Sequence, residues 1–195
     1  IAVQAAAIVA NNDDYSATPF PPGGGGSTPR VFGNDTLAGA AFADAAVVAT
    51  LTNAPSGYAI AANGTISVPA TAAAGPVSLT YQICEAASPS NCASATVSLL
   101  VSPDALDDSV AVQAGQAVNG NVASNDNVFT GSTFVQTGAA PSQGSVVLQA
   151  SGAFTYTANA GATGTDTFGY QVCLPAPNAA VCDTATVTVN LTANT

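Results

Sequence analysis

The residues of this chain that could do chemistry are eleven acidic side chains and four cysteines. Histidine and lysine are absent, so neither a Ser–His–Asp or Cys–His arrangement nor a Schiff-base lysine can form. Glycoside hydrolysis needs two carboxyl groups that face each other across a cleft. Neighbouring acids such as Asp13 and Asp14 point to opposite faces of a strand instead. The sequence therefore predicts a protein that is not an enzyme.

A cation site is the sharper alternative use of the acidic side chains. Asp104, Asp107 and Asp108 cluster near the middle of the chain, and Asp126 could add ligands. Calcium takes about six to eight oxygen ligands, and no complete Asp-x-Asp or Asp-x-Asn-Asp-Asn motif is present. Aspartate and asparagine also cap turns through their own side chains. We expect these acids to be structural and predict no cofactor, with calcium as the open alternative.

The cysteines form two close pairs, Cys84 with Cys92 and Cys173 with Cys182. A metal site would need all four thiolates to converge, although the pairs are far apart in sequence. A redox site would favour Cys-x-x-Cys near a βαβ unit, and neither feature occurs. Each pair encloses a short segment rich in Pro, Ala, Ser and Asn. The pattern predicts two hairpins, each closed by a disulfide that contributes about 2–3 kcal/mol.

The charge and composition exclude several classes of partner. The net charge is −10, and Arg30 is the only strong cation. Such a chain cannot neutralise a nucleic-acid backbone or adhere to anionic lipid. No apolar run reaches the ~20 residues that span a bilayer, so no membrane insertion is predicted. A chain that begins at Ile1 and contains no Met is interpreted as one whose export signal was removed, which predicts a secreted or cell-surface protein.

An internal repeat divides the chain. The matching segments are Asp13-Asp14 with Asp107-Asp108, Gly33-Asn34-Asp35 with Ser124-Asn125-Asp126, Tyr81-Gln82-Ile83-Cys84 with Tyr170-Gln171-Val172-Cys173, and Ala95-Thr96-Val97 with Ala185-Thr186-Val187. Their offsets are 94, 91, 89 and 90 residues, so the order is kept and only loop lengths vary. The repeat predicts two domains, residues 11–102 and 103–195, after a separate N-terminal segment, residues 1–10.

The units read as short strands separated by turn residues. Residues 77–83 and 184–191 alternate apolar and polar side chains with a period of two. Turn residues recur every 8–12 positions or so, which is typical of a sandwich of about seven strands. The predicted fold is all-β, with two tandem immunoglobulin-like β-sandwich domains preceded by an extra N-terminal β-strand. Residues 19–30 are rich in Gly and Pro, have no counterpart in the second unit, and are predicted to form a flexible surface loop or a contact loop.

These motifs resemble bacterial Ig-like and cadherin-like tandem repeats. The resemblance rests on the acidic pair, the Asn-Asp motif, and two segments of the second unit: Gly152-Ala153-Phe154-Thr155-Tyr156 and Gly164-Thr165-Asp166-Thr167-Phe168-Gly169-Tyr170. It covers nearly all of the chain after residue 11. The resemblance implies a β-sandwich and a stalk, spacer or adhesin role at the cell surface.

Residues 1–10 are uncharged and apolar and are predicted to form a strand, which would promote aggregation if left free. It could fold back on its own domain, be the tail of a preceding repeat, or insert into a neighbouring subunit. The favoured hypothesis is a head-to-tail homopolymer, an extracellular filament of identical subunits. Its linking strand would bury every second side chain, namely Ile1, Val3, Ala5, Ala7 and Val9.

The alternative is a two-domain part of a long surface adhesin, with or without calcium to rigidify it. A carbohydrate-binding module would need grouped aromatic residues, and Tyr15, Phe20 and Tyr58 are scattered in sequence. Three Asn-x-Thr triplets are glycosylation acceptors only in a host with that machinery; they begin at Asn34, Asn63 and Asn190. The sequence identifies no host or cell-surface ligand.

Overall fold

The structure is a computed structural model, and it describes residues 6–194. Within that range the protein is all-β, with sixteen strands and three short 3-10 turns. The chain forms two compact units. Unit 1 contains the described residues up to Ala72 together with Pro76–Val101, and unit 2 contains Ala73–Gly75 and the residues from Ser102 onward. None of the helical turns between residues 6 and 194 has the length and hydropathy of a membrane span.

The strands of the N-terminal half pair around two long central strands. They are β1 Ile8–Val9, β2 Asp13–Asp14, β3 Gly26–Ser27, β4 Thr36–Leu37, β5 Val47–Asn53, β6 Ala59–Ile60, β7 Ile66–Val68, β8 Gly75–Glu85 and β9 Ser88–Val101, with 3-10 turns at Val31–Asn34 and Asp44–Ala46. One sheet has the order β2-β9-β8-β5 and the other the order β3-β7-β6, while β1 pairs with β4. The apolar alternation predicted for residues 77–83 lies within β8.

The described residues of unit 2 form seven named strands, in agreement with the prediction of about seven, whereas those of the N-terminal half form nine. They are β10 Asp108–Gln113, β11 Ala117–Asn121, β12 Thr133–Thr137, β13 Gly144–Leu148, β14 Ala153–Ala158, β15 Gly164–Cys173 and β16 Cys182–Thr192, with a 3-10 turn at Val122–Ser124. The sheets have the orders β10-β16-β15-β12 and β11-β14-β13. Both units are therefore β-sandwiches of four- and three-stranded sheets, and the predicted fold class is confirmed.

Each unit has its own core between its two sheets. In β15 every second side chain is buried, since Asp166, Phe168, Tyr170 and Val172 face inward. The same period holds in β8, where Leu79, Tyr81 and Ile83 are fully buried. This alternation buries one face of each sheet and leaves the other to solvent. A few large aromatic side chains thus fill cores otherwise built from Val and Ala.

The strand register corrects the alignment of the repeat. In unit 1 Asp13 pairs with Val97, and in unit 2 Asp108 pairs with Val187. Val97 and Val187 are equivalent in the Ala-Thr-Val repeat, so Asp13 corresponds to Asp108. The prediction that Asp13-Asp14 matches Asp107-Asp108 is therefore wrong by one residue, because parallel pairing with the last strand fixes the position. Asp14 consequently has Ser109 as its counterpart.

A second correction concerns residues 19–30, which do have a counterpart in unit 2. Two pairings of unit 1 match pairings of unit 2: Phe20↔Val101 matches Val112↔Leu191, and Gly26↔Val68 matches Val118↔Tyr156. The additional residues of unit 1 lie earlier instead, because residues 16–19 stand where unit 2 has only Ala111. The Gly/Pro-rich segment is thus partly a strand, since β3 pairs with β7.

Candidate functional site

Unit 1 buries a carboxylate at the point where the chain enters the sandwich. Asp35 follows the 3-10 turn Val31–Asn34 and is only 2% exposed. Its Oδ2 accepts a hydrogen bond from the Tyr81 hydroxyl at 2.8 Å, and its Oδ1 accepts one from the backbone N–H of Asn11, also at 2.8 Å. Because the Asn11 contact uses the backbone, Asp35 fastens the incoming chain to β8 whatever side chain stands at position 11.

Unit 2 repeats this arrangement. The Tyr170 hydroxyl lies 3.0 Å from each oxygen of Asp126, and the backbone N–H of Leu106 donates to Asp126 Oδ1 at 2.8 Å. In both units the segment before this contact pairs with the residue that follows the aspartate. Val9 lies opposite Thr36 in unit 1, and Asp104 lies opposite Asn127 in unit 2. We call residues 6–11 and 101–106 the lead-in segments, and both are fastened by a Tyr–Asp contact.

A second carboxyl group interacts with the first in each unit, so each site contains an acid pair: Asp13 with Asp35, and Asp108 with Asp126. Burial raises the pKa of Asp13 to about 6, and the nearby charge of Asp35 raises it as well. Burial likewise raises the pKa of Asp108 to about 6, with the charge of Asp126 adding to it. In the described part of the chain, one oxygen of Asp13 and one of Asp108 are buried without a hydrogen-bond donor. A carboxyl group so placed retains a proton at a higher pH than a free one.

The other groups at these sites shift in the same direction. Burial raises the pKa of Asp35, although the Asn11 N–H, the Tyr81 hydroxyl and the charge of Arg30 oppose it. Burial also raises the pKa of Asp126, opposed by its hydrogen bonds from Leu106 and Tyr170. Burial and the neighbouring carboxylates raise the pKa values of both tyrosines, so the hydroxyls stay protonated and donate. We call each Tyr–Asp contact, together with the backbone N–H that it fastens, a clasp; the carboxyl groups at each clasp bind a proton more readily than a free aspartate does.

Two of the acids that were considered for calcium, Asp107 and Asp126, accept hydrogen bonds from backbone N–H groups, and so does Asp183, which was not among them. Asp107 Oδ1 accepts from the backbone N–H of Thr186 at 2.9 Å, and Asp183 Oδ2 accepts from Ala105 at 2.9 Å. The backbone of Asp104 pairs with that of Asn127. Among residues 6–194 no three His, Cys, Asp or Glu side chains are grouped as a metal site.

Both predicted disulfides are present. Cys84 is bonded to Cys92 across the β8–β9 hairpin, and Cys173 to Cys182 across the β15–β16 hairpin, each with a Cα–Cα separation of 4.1 Å. Cys173 and Cys182 lie directly opposite each other in the ladder. One cysteine of each bond therefore lies on the same strand as Tyr81 in β8 or Tyr170 in β15.

Sequence reasoning missed the role of Asp166, which is 5% exposed in unit 2. Its carboxylate accepts from the Tyr156 hydroxyl and the backbone N–H of Gln143, both at 2.8 Å, and from Ser142 at 2.9 Å. Burial would raise the pKa of Asp166, but these hydrogen bonds outweigh it and lower the pKa to about 2. Asp166 is thus an ionised buried group that connects β15 with the start of β13, and nothing in its motif distinguishes it from an exposed acid.

The residues proposed for subunit linkage are only partly described. Ile1, Val3 and Ala5 lie outside the described residues. Ala7 and Val9 are exposed, and Val9 is 44% exposed. The alternate side chains Ile8 and Ala10 pack against the core of unit 1. The described part of this segment thus folds back on its own unit, and the two described residues of the predicted linking face are open to solvent.

Two of the scattered aromatic residues come together. Tyr15 and Phe20 line one cavity of about 440 Å³ in unit 1, and Tyr58 does not line it.

The three predicted glycosylation acceptors, Asn34, Asn63 and Asn190, are all exposed.

Comparison with known proteins identifies the class of domain. Residues 101–190, most of unit 2, match the family model of the bacterial Ig domain. This match supports the predicted bacterial Ig-like class for residues 101–190. No curated protein matches the chain.

Several solved structures match the chain at low identity. They include an endo-fucoidan hydrolase, MfFcnA4 of glycoside hydrolase family 107, at 14% identity over 96% of this chain and 28% of that chain, with a TM-score of 0.35. They also include Drosophila N-cadherin EC1-4, at 8% identity over 97% of this chain and 51% of that chain, with a TM-score of 0.36. Human CDH23 EC21-23 matches at 11% identity over 75% of this chain and 63% of that chain, with a TM-score of 0.33. This chain spans less than two thirds of each, and likenesses at these scores carry no functional inference.

Proposed function

We propose that this chain is a non-catalytic spacer segment of a secreted bacterial surface protein or adhesin built from tandem Ig-like units. The observation that carries the proposal is the equivalence of the two lead-in segments. In unit 2 the lead-in continues directly from β9 of the preceding unit, and it is fastened by Asp126 and Tyr170. In unit 1 the lead-in is fastened in the same way by Asp35 and Tyr81. Identical attachment of each unit is what a chain of repeated units requires.

The remaining features suit an extracellular role. Disulfides persist in oxidising compartments, and both units place one across the same hairpin. The net charge of −10 keeps the surface soluble and disfavours nucleic acid and anionic membranes as partners. The chain has one arginine, Arg30, and no lysine, so trypsin-like proteases can cleave it after a single residue.

A filament of identical subunits is the second candidate, and the exposed face of residues 7 and 9 favours it. An uncharged strand with a free face can add to a neighbour's sheet, and head-to-tail addition of this kind produces open filaments. The opposite face, however, already packs on unit 1 through Ile8 and Ala10. Donation would have to detach that face, so the tandem array is the better supported function.

Sedimentation velocity and negative-stain electron microscopy of the purified chain separate the two. The array hypothesis expects monomers over a wide concentration range, with no effect of removing residues 1–5. The filament hypothesis expects fibres that are lost on that removal and in Val9→Asp. Val48→Asp is the matched control, because Val48 is 59% exposed on another strand of unit 1. Fibres that depend on Val9 and not on Val48 would reject the array hypothesis in favour of the filament.

The cellular location has its own test. Immunogold labelling of intact cells, with alkylation of free thiols before lysis, should show surface label and four unreactive cysteines. Label confined to the cytoplasm, or reactive thiols at Cys84 and Cys92, would contradict the extracellular role.

A further inference from the structure

The cavity of unit 1 is a feature that the spacer role does not use. It has a volume of about 440 Å³, within the range of small-ligand sites. Its walls are mainly apolar and aromatic, with one carboxylate: they include Asp14, Tyr15, Thr18, Phe20, Pro21 and Pro29. All of these residues belong to unit 1.

The cavity exists because unit 1 departs from unit 2 at two places. Residues 16–19 bulge from the strand between Tyr15, whose N–H donates to Ser98 O at 2.9 Å, and Phe20, whose N–H donates to Leu100 O at 2.8 Å. The second departure is Gly26, which stands where unit 2 has Val118. A Cβ at Gly26 would lie 3.1 Å from the Phe20 ring, so the glycine makes room for that ring in the cavity wall.

The loop that forms the opposite wall is held in place. Gly25 has a φ of +60°, and a Cβ there would come within 2.5 Å of the carbonyl oxygen of Val68. The next residues form β3, which pairs with β7. The Thr28 hydroxyl also accepts a hydrogen bond from the N–H of Ile66 at 2.9 Å. The cavity is therefore anchored on both sides by backbone contacts with the sandwich.

The charge at the cavity is negative, and no cation among residues 6–194 forms an ion pair with it. Asp14 Oδ1 accepts hydrogen bonds from the Ser16 N–H at 2.9 Å and hydroxyl at 2.6 Å, and these bonds lower the Asp14 pKa. The carboxylate is exposed and ionised at neutral pH. The only guanidinium of the chain, that of Arg30, is bound to Asp44 at 2.6 Å. Unit 2 has Ser109 in place of Asp14, so the charge is particular to this cavity.

We propose that this cavity binds a basic side chain of a partner polypeptide, an arginine or lysine beside an apolar residue. The ammonium or guanidinium group would pair with Asp14, and its alkyl stem would lie against the rings of Tyr15 and Phe20. Cations are attracted to aromatic faces and to carboxylates, whereas an anionic ligand would meet repulsion from both the rim and the net charge. The proposal stands whether the units form an array or a filament.

The test is a titration of the intact ¹⁵N-labelled chain, followed by heteronuclear NMR, with the blocked dipeptide acetyl-Leu-Arg-amide. Acetyl-Leu-citrulline-amide is the matched probe, since it has nearly the same shape without the charge. The expected result is movement of the Gly25, Gly26 and Thr18 amide signals, with a Kd of about 1–10 mM for so small a probe. The citrulline peptide should bind about tenfold more weakly, and added salt should weaken the arginine peptide.

Two variants complete the test. Asp14→Asn should reduce affinity for the arginine peptide by about tenfold while keeping the Ser16 hydrogen bonds. Asp107→Asn removes the same charge from unit 2, and it should leave the affinity unchanged. Thermal unfolding of both variants checks that the fold is intact.

Four results would overturn the proposal. They are equal binding of the arginine and citrulline peptides, equal losses in Asp14→Asn and Asp107→Asn, signal changes away from the cavity, and no saturable change up to about 50 mM peptide. A response to a neutral disaccharide such as maltose, without one to the arginine peptide, would assign the cavity to carbohydrate instead.

Discussion

Lowering the pH from 7.5 to 4.5 should stabilise both Ig-like units, because each contains two partly or fully buried carboxyl groups whose charges interact. The folded-state pKa values of Asp13 and Asp108 are about 6, against 3.8 for an ordinary aspartate. A raised pKa means that the folded state holds its proton to a higher pH than the unfolded state does. The resulting stabilisation is present in full below pH 3.8 and is lost as the pH rises through about 6. The pKa values of Asp35 and Asp126 are raised too, so they act in the same direction.

The magnitude follows from the size of the shift. A rise of about two units corresponds to about 3 kcal/mol at about 1.4 kcal/mol per unit. Only about two thirds of this difference is reached between pH 7.5 and 4.5, because it is complete only below the unfolded pKa. Solvent also reaches part of Asp13 and Asp108 and screens the interaction, so the expected change from either group is about 1 kcal/mol. Asp166 works in the opposite sense, but its pKa of about 2 confines its effect to pH values below about 4.

The assay is urea unfolding at pH 4.5, 5.5, 6.5 and 7.5, followed by circular dichroism. Asp13→Asn and Asp108→Asn keep the side-chain shape and remove the titrating group. Each variant should be more stable than the wild type at pH 7.5 and should lose most of the pH dependence of its own unit. Asp14→Asn is the control on the same strand, since Asp14 is exposed and its pKa is lowered.

Three results would refute the acid-pair reasoning. One is a wild-type free energy of unfolding that rises between pH 4.5 and 7.5. Another is Asp13→Asn being less stable than the wild type at pH 7.5, which would mean that the ionised carboxylate stabilises the fold. The third is an equal response in Asp14→Asn, which would assign the pH dependence to overall charge.

Three further changes test the structural contacts by urea unfolding. Tyr170→Phe should destabilise unit 2 by about 1–3 kcal/mol because the Asp126 carboxylate loses a hydrogen-bond donor. Tyr58→Phe should not destabilise unit 1, since the Tyr58 hydroxyl is buried with no partner among residues 6–194. Equal effects of the two changes would contradict the clasp. Replacing Cys173 and Cys182 together by serine should lower the free energy of unfolding by about 2–3 kcal/mol. An unchanged value would show that the hairpin is stable without its disulfide. Asp166→Asn should lower the free energy of unfolding by about 1–3 kcal/mol at pH 7 and should reduce the loss of stability below pH 4. An unchanged free energy of unfolding at pH 7 would contradict the role of Asp166 as a buried acceptor.

The strands and disulfides could be predicted from sequence because their signals are local. The period of two over residues 77–83 falls inside β8, and the close Cys pairs fall on hairpins. Both depend on residues only a few positions apart, so no knowledge of long-range register was needed. The fold class follows from the repetition of these local signals.

The acid pairs could not be predicted because they depend on register between distant strands. Two adjacent aspartates look alike in sequence, and Asp13-Asp14 was aligned with Asp107-Asp108. Pairing with β9 and β16 shifts the match by one residue, so that one acid faces the core and its neighbour faces solvent or a capping site. The cavity was missed for the same reason, because Tyr15 and Phe20 meet only when residues 16–19 leave the strand.

The clasp explains how the lead-in segments can differ so much in sequence and still be attached alike. Asn11 and Leu106 have unlike side chains, both exposed, yet each donates a backbone N–H to an aspartate at 2.8 Å, the buried Asp35 or the half-buried Asp126. The side chain at this position is therefore free to vary, while the Tyr–Asp contact must be kept. The aspartate that fastens the lead-in also raises the pKa of its acidic neighbour, so the attachment and the acid pair are parts of one structure. Any unit of such an array that keeps this pair should share the same gain in stability at acid pH.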